Sequence, residues 1–332
     1  TVRDVCGVGL GLIGGSVLRA AAKADRQVWG AAASDEDVAA ARADGFDATT
    51  SLADALARAA ERDAIVVLAV PLTAVDAVLR QVAEHAPGVL LTDAVSVKQP
   101  VQESVRRLAP EARFVGGHPM AGTTESGWPA GKADLFAGAA WALCLAHDTE
   151  LTWWAEIAQL AVEFGAQVVP VTAELHDAAV ARISHLPHVL AAVLAAIGAE
   201  GGPLTLSLAA GSFTDGTRVA GSRVELVRAM TEGNRAALLP ALDTALGMLG
   251  AARGSLASTG SLGATIKAGH AGAQALATMR SADYTSVRID LRAQDASEAL
   301  LALGEQGGRV TAVEGSTALG RVPVTNQAAD PR

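Results

Sequence analysis

Residues 116–127 read GGHPMAGTTESG and hold a single imidazole, His118, among glycines and one proline. A neutral imidazole titrates near pKa 6.5 and can take a proton at physiological pH. The stretch therefore reads either as a rigid mount for one general base or as an ordinary surface turn. Three further stretches combine reactive groups with shape. DAVSVK, residues 93–98, sets the hydroxyl of Ser96 between a carboxylate and an ammonium just after an apolar run. ISHLPH, residues 183–188, puts His185 and His188 three apart, on one helical face. FTDGTR, residues 213–218, ends in Arg218, whose planar fork matches a carboxylate. Each has a plainer reading when taken singly: Ser96 as a helix cap, Arg218 as a surface ion-pair partner, the two histidines as packed side chains. No third ligand stands at a regular spacing from His185 and His188, so no metal is expected. His176 reads as a helix-start or structural residue, and His85, His147 and His270 as surface residues.

These groups need a scaffold, and the N-terminal residues indicate one. Gly9-Leu10-Gly11-Leu12-Ile13-Gly14 is a G-x-G-x-x-G between the apolar run Val5–Val8 and the helical stretch Ile13–Ala24. In that context the first glycine makes the tight turn, the second admits a pyrophosphate and the third packs helix on strand. The helix N-terminus then faces the phosphates. The predicted dinucleotide contacts are Gly9, Gly11, Leu12, Ile13 and Gly14, with Ser34 and Asp35 after the second strand, Val70 and Pro71 after a later one, and Ser96. Ala32 stands where a ribose-binding acid is expected, with Asp35 three residues on. No arginine follows until Arg42, so no clamp for a 2′-phosphate is evident. NAD is the expected cofactor, NADP the alternative.

Strands alternate with helices through the first 170 residues, which predicts βαβ units and a parallel sheet. The expected strands include Ala64–Val70, Gly88–Asp93, Phe114–Val115, Ala140–Ala146 and Gln167–Val171. Residues 173–280 read as helices broken by glycines. Thr285–Leu291, Asp295–Gly304 and Arg309–Glu314 read as strand, helix and strand, followed by a polar tail from about Thr325. The expected fold is α/β: a Rossmann-type doubly wound parallel sheet over 1–172, an all-helical domain over 173–280, and a short βαβ-like extension with its tail over 281–332.

Half of the 332 residues are apolar and only 3% aromatic, and the formal charge is −9. An acidic chain without basic runs argues against nucleic acid or an anionic membrane surface as partner. The apolar stretches Ala64–Pro71 and Val189–Ile197 are too short to span a bilayer, and TVRDVCGVGL shows no basic segment followed by a long apolar stretch, so a signal peptide is not expected from it. A soluble cytoplasmic protein is expected. Cys6 and Cys144 lie in apolar runs and read as buried thiols.

GLGLIGGS at 9–16, DAVSVK at 93–98, GGHPMAGTTESG at 116–127, HDAAVARISHLPH at 176–188 and FTDGTRVA at 213–220 occur in this order. Together they resemble the prephenate/arogenate dehydrogenases of tyrosine biosynthesis, over roughly residues 4–280. The resemblance implies a Rossmann domain and a helical domain that forms a homodimer, with the substrate between them. It implies that His118 accepts a hydrogen bond from the ring hydroxyl of the substrate and that Ser96 lies beside His118 and the nicotinamide. It implies that Arg218 binds a substrate carboxylate and that His188 contacts substrate with His185 close by. Thr123, Thr124 and Thr214 join the substrate-binding candidates. Thr124 replaces an acid of the family pattern, Thr214 a basic residue and Ala32 the strand-end acid; these changes bear on substrate and cofactor selection. Prephenate, arogenate and an amino analogue of prephenate all stay open as substrates. Residues 284–314 fit only part of the regulatory ACT domain of some relatives, so tyrosine feedback through it is not expected. Pyrroline-carboxylate and 3-hydroxyacid reductases share such an architecture, but the latter need a lysine on a G-x-x-G-x-G-x-x-x-K helix that is missing here. A non-catalytic dinucleotide-binding sensor would have no need of His118, Ser96 and Arg218 together.

Overall fold

The computed structural model describes residues 2–123 and 125–324. The chain runs β1 (Val5–Val8), α1 (Leu12–Lys23), β2 (Val28–Ala31), α2 (Asp35–Ala43), β3 (Ala48–Thr49), α3 (Leu52–Glu61), β4 (Ile65–Leu68), α4 (Leu72–His85), β5 (Leu90–Asp93), α5 (Gln99–Leu108) and β6 (Arg113–Val115). These strands form one parallel sheet in the order β3-β2-β1-β4-β5-β6. Strand order reverses between β1 and β4, and ligands of doubly wound sheets bind beyond the carboxyl ends of the strands at such a point. β1 and β4 are buried on both faces, which is why they read as unbroken apolar runs rather than as alternation. Ser34 and Ser51 cap α2 and α3 by accepting from the amides of Asp37 and Asp54.

Gly116 alone separates β6 from β7 (Gly117–Pro119), and there the chain leaves the first sheet. β8 (Ala140–Cys144), α6 (Leu151–Glu163) and β9 (Gln167–Val171) follow. The expectation of one sheet through residue 171 is corrected here: β7, β8 and β9 belong to a second sheet. The chain completes that sheet only at its far end, after helices α7 (Ala173–Val180) to α13 have passed. The intervening elements are a π-turn (Ala181–His185), α8 (Leu186–Glu200), α9 (Gly202–Ser207), α10 (Gly211–Thr217), α11 (Val224–Gly233), α12 (Arg235–Thr259) and α13 (Gly263–Arg280). Then come β10 (Tyr284–Asp290), α14 (Ala296–Glu305), β11 (Arg309–Glu314) and β12 (Thr317–Pro323). The second sheet has the order β10-β12-β11-β9-β8-β7.

The C-terminal residues are thus no free-standing extension. Residues 286–322 cluster with residues 1–176 as one compact unit, and 177–285 form another. Leu300, Leu303, Val310 and Ala318 share a core with Val5, Leu18, Trp141, Trp154 and Val168. Gly304 of α14 lies so close to β9 that a Cβ there would stand 1.8 Å from the Pro170 carbonyl. β12 was not anticipated, and the tail from Thr325 lies outside the described residues.

The helical unit buries few side chains of its own. Leu204, Leu208, Leu246 and Ile266 are 64–75% exposed, and Ile183, Ile197 and Leu249 are also open. Ala173–Glu200 forms a continuous helical run long and apolar enough, by length and composition, to cross a membrane. This corrects the reading that no segment reaches that length.

Candidate active site

The glycine loop follows β1. Gly9 has φ +94°, and a Cβ there would come within 2.3 Å of the Ala69 carbonyl. A Cβ on Gly14 would stand 1.8 Å from the Gly9 carbonyl. These two glycines let strand, turn and helix close up. Gly11 differs: it N-caps α1 without a side-chain cap, and a Cβ there would meet nothing within 4 Å. The loop therefore presents open backbone beside the first turn of α1, where Leu12 and Ile13 are partly exposed. That cradle suits a pyrophosphate, which the helix N-terminus attracts. Val70 borders the loop, 3.1 Å from the Cβ position of Gly9, and Pro71 N-caps α4. Ser34 is engaged in capping α2, and Asp35 opens that helix at the surface.

His118 sits on β7, not in an irregular loop, and pairs with Ala142 of β8. Its backbone is held from below. The Asp93 carboxylate accepts from the amides of Gly117 (3.0 Å) and Val95 (3.0 Å). Lys98 Nζ donates to Asp93 and, at 2.6 Å, to the Gly117 carbonyl. Both sides of the residue before His118 are therefore tied to one buried ion pair, since Asp93 is 0% and Lys98 2% exposed. Burial pushes the Asp93 carboxyl above its ordinary range, against the opposing pull of Lys98. Gly117 admits no side chain: a Cβ would stand 2.6 Å from the Asp93 carbonyl and 3.0 Å from Trp141 Nε1. Ser96 lies half-buried in the turn between Asp93 and Lys98.

The His118 side chain has a partner that the sequence reading missed. His118 Nδ1 lies 2.8 Å from His176 Nε2, the rings meeting edge to face at 5.1 Å. His176 is 3% exposed and stands in the first turn of α7, which Thr172 opens by accepting from the Leu175 amide. The available signal was the HD pair heading the HDAAVARISHLPH stretch. A shared hydrogen couples the two tautomers. For His118 to take a proton at Nε2, its Nδ1 carries the hydrogen and donates it to His176.

The chain beyond His118 is anchored to the glycine-loop helix and its neighbour. Trp128, 1% exposed, donates its backbone amide to Asp37 (2.8 Å) and its indole N–H to Asp44 (2.8 Å). The Arg19 guanidinium lies 3.9 Å above the Trp128 ring and bonds Asp44 at 2.8 Å. The Lys132 amide donates to Ser16 Oγ at 2.9 Å. Thr123 is exposed and its hydroxyl accepts from the Glu125 amide, while Thr124 lies outside the described residues.

In the helical unit the candidates divide. His185 is 1% exposed, and its Nδ1 is 3.0 Å from Asn234 Nδ2, which also donates to the Asp177 carbonyl. It is placed inside its unit as a packed, bonded histidine. His188 is half-buried, and its Nδ1 must carry a hydrogen to bond the Ser184 carbonyl at 2.8 Å. The neutral ring then offers Nε2 as an acceptor. The π-turn at Ala181–His185 and Pro187 just after it set the angle of both rings; such bulges recur at functional sites. Arg218 is exposed and begins a 3₁₀ turn after α10, beside exposed Thr214. α10 is seated on α8 through glycines: a Cβ on Gly198 would be 2.5 Å from Phe213, and one on Gly216 2.9 Å from Leu194. Among the described residues no group of three or more His, Cys, Asp or Glu is arranged to hold a metal.

A doubly wound sheet with an open glycine cradle at its switch point, joined to an all-helical unit, defines a Rossmann-type nucleotide-binding protein. Residues 15–170 match the family described as prephenate dehydrogenase, nucleotide-binding domain, and residues 172–259 match prephenate dehydrogenase, dimerization domain. The chain belongs to the prephenate dehydrogenase family. It is 34% identical to prephenate dehydrogenase of Bacillus subtilis over 245 residues, which is 71% of this chain and 65% of that protein's length. It is 33% identical to cyclohexadienyl dehydrogenase of Zymomonas mobilis over 76% of this chain and 87% of that one. A crystal structure from Corynebacterium glutamicum, of a protein provisionally named a prephenate dehydrogenase, superposes with TM-score 0.87 at 42% identity, covering 92% of this chain and 98% of its own. The match thus spans slightly under two thirds of the Bacillus protein.

Proposed function

We propose that the chain oxidatively decarboxylates prephenate to 4-hydroxyphenylpyruvate and carbon dioxide, as a cytoplasmic step of tyrosine biosynthesis. The observation that carries this reading is His118, paired with His176 on a clamped strand, in the unit that also holds the open glycine cradle. A nicotinamide dinucleotide bound by Gly9, Gly11, Gly14 and the first turn of α1 supplies the hydride acceptor. His118 takes the proton of the ring hydroxyl as the hydride leaves the same carbon. The bond to the ring carboxylate breaks, its electron pair enters the ring, and aromatisation drives the step. General-base help of this kind is worth about 10²–10⁴-fold. Ser96 assists beside His118. Arg218 binds a carboxylate of the substrate and fixes ring orientation, with His188, Thr123, Thr124 and Thr214 completing the substrate contacts.

NAD is the proposed form of the cofactor. Arg42, the first arginine after β2, donates Nε to the Ala48 carbonyl at 2.7 Å and serves the fold, while Asp35 stands exposed as a ribose acceptor. The exposed apolar side chains of the helical unit are proposed to meet a second copy of the chain, since so many large apolar side chains left open in one unit point to an association site. Absorbance at 340 nm with prephenate or arogenate, each with NAD and NADP, tests the reading. Reduction of NAD with prephenate is expected. Arogenate as the better substrate would move the assignment within the family, and silence in all four mixtures would favour a non-catalytic sensor or, if a wider substrate panel then gives signal, an amino analogue of prephenate as substrate.

A further inference from the structure

His118 stands on β7 of the second sheet, and Ser96 follows β5 of the first. Both groups are to act on one substrate ring, so the end of one sheet must be fixed against the other. The ladder with β8 holds β7 within its own sheet. Thr92 Oγ1 and Trp141 Nε1 lie 3.1 and 3.0 Å from the position a Gly117 Cβ would take. Both are buried without a hydrogen-bond partner among the described residues, so neither ties β7 down.

The tie is the Asp93–Lys98 pair. Asp93 Oδ1 accepts from the Gly117 amide and Oδ2 from the Val95 amide, each at 3.0 Å. Lys98 Nζ donates to Oδ2 and, at 2.6 Å, to the Gly117 carbonyl. Gly117 adjoins His118 and Val95 adjoins Ser96, so one carboxylate sets the backbone before both groups. The Ala94 amide donates to the Leu68 carbonyl at 2.8 Å, which seats the same turn on β4. Burying two opposite charges adds little net stability, because desolvation offsets most of their attraction. What the pair does supply is direction: two oxygens and an ammonium aimed at three backbone atoms.

We propose that Asp93 and Lys98 are positioning residues for the oxidation step, holding His118 and Ser96 in mutual register from beneath. This rests on the reading of His118 as the base. The pair acts on the chemical step and leaves the glycine cradle, at β1 and α1, as it is.

The test compares Lys98→Met with the double variant Asp93→Asn/Lys98→Met, in the full chain, with whichever prephenate-type acid the wild type oxidises. Lys98→Met leaves a carboxylate buried without its counter-charge and should lower the thermal midpoint; the double variant removes both charges and should recover most of that loss. The Asn amide has one acceptor oxygen, which serves Gly117 or Val95 but not both. In the double variant kcat should therefore stay down by about 10²-fold, the scale of a group misplaced by about 1 Å, with dinucleotide affinity nearly unchanged. Deuterium at the hydroxyl-bearing carbon should slow that variant at least as much as the wild type, since hydride transfer is the step impaired. Activity that returns with the thermal midpoint in the double variant, or a smaller isotope effect there, overturns the proposal. If the double variant does not fold, Asp93→Asn alone decides by the same split between kcat and dinucleotide affinity. His118→Asn keeps the two failures apart: wild-type turnover there removes the base itself, whereas loss there with retention in the double variant removes only the positioning role. A wild type that oxidises no such acid overturns both.

Discussion

His176 Nε2 lies 2.8 Å from His118 Nδ1, across 58 residues of sequence. The proposed base thus owes its tautomer to a second buried imidazole. His118→Asn should lower kcat at least about 10²-fold with nucleotide affinity unchanged. His176→Leu should lower kcat about tenfold and displace the acid limb of the kcat/KM pH profile, with His176→Gln restoring part of both. Steady-state rates from pH 5.5 to 9 check this, and a profile unchanged in His176→Leu would deny the pair a role in proton transfer.

Arg218→Ala should mainly raise KM for the substrate, by an amount equivalent to about 2–4 kcal/mol of lost binding. Initial rates over a wide substrate range measure it. An unchanged KM would show that the carboxylate is held elsewhere.

The three glycines of the loop should respond differently to a methyl group. Gly11 has φ −74° and open space around its missing Cβ, so Gly11→Ala should fold as the wild type does yet bind the dinucleotide at least about tenfold more weakly. Gly14→Ala drives Cβ against the Gly9 carbonyl and should destabilise the unit before affinity can be measured. Nucleotide fluorescence titration and thermal unfolding of both variants separate the two effects; equal affinity in wild type and Gly11→Ala would remove Gly11 from the phosphate site.

Burial pushes the Cys6 thiol up to about 12. The folded chain keeps a proton that the unfolded chain releases near its ordinary value of about 8.5, so this group's contribution to stability is whole below that pH and is lost as pH rises toward the folded value. Urea unfolding midpoints should therefore fall between pH 8 and 10.5, and fall less in Cys6→Ala. Both cysteines are buried, so a thiol reagent at pH 8 should modify neither until the chain is unfolded.

Removing residues 281–332 should leave an insoluble or unfolded chain. Deletion strips β11 from β9 and takes Leu300, Leu303 and Val310 out of the main core. Expression and circular dichroism of the shortened chain check this, and a soluble, dinucleotide-binding product would show that the second sheet closes without them.

What could be read from sequence follows from the length and purity of each signal. The strands β1 and β4 are apolar throughout, and their spacing with helices fixed the Rossmann sheet. β7 and β12 are interrupted by glycine and proline, so neither carries a strand pattern. The division into two sheets left no trace, because hydrophobic period reports burial and not which neighbour a strand bonds. Asp93 and Lys98 were visible only as flanks of Ser96; that they clamp Gly117 depends on a strand 20 residues further on. The likeness of five motifs to one family was legible because each is held by local shape: glycines at close approaches, a proline beside a π-turn, an arginine after a helix end.

The return of the chain to its first unit also orders events in time. β9 at residues 167–171 gains its β11 neighbour only once residues 309–314 exist. During synthesis the parallel sheet can assemble early, whereas the sheet bearing His118 keeps an open edge until the whole helical unit has emerged. A nascent chain would therefore acquire its nucleotide cradle well before its second sheet was complete, and that open edge is where a holding chaperone would have work to do.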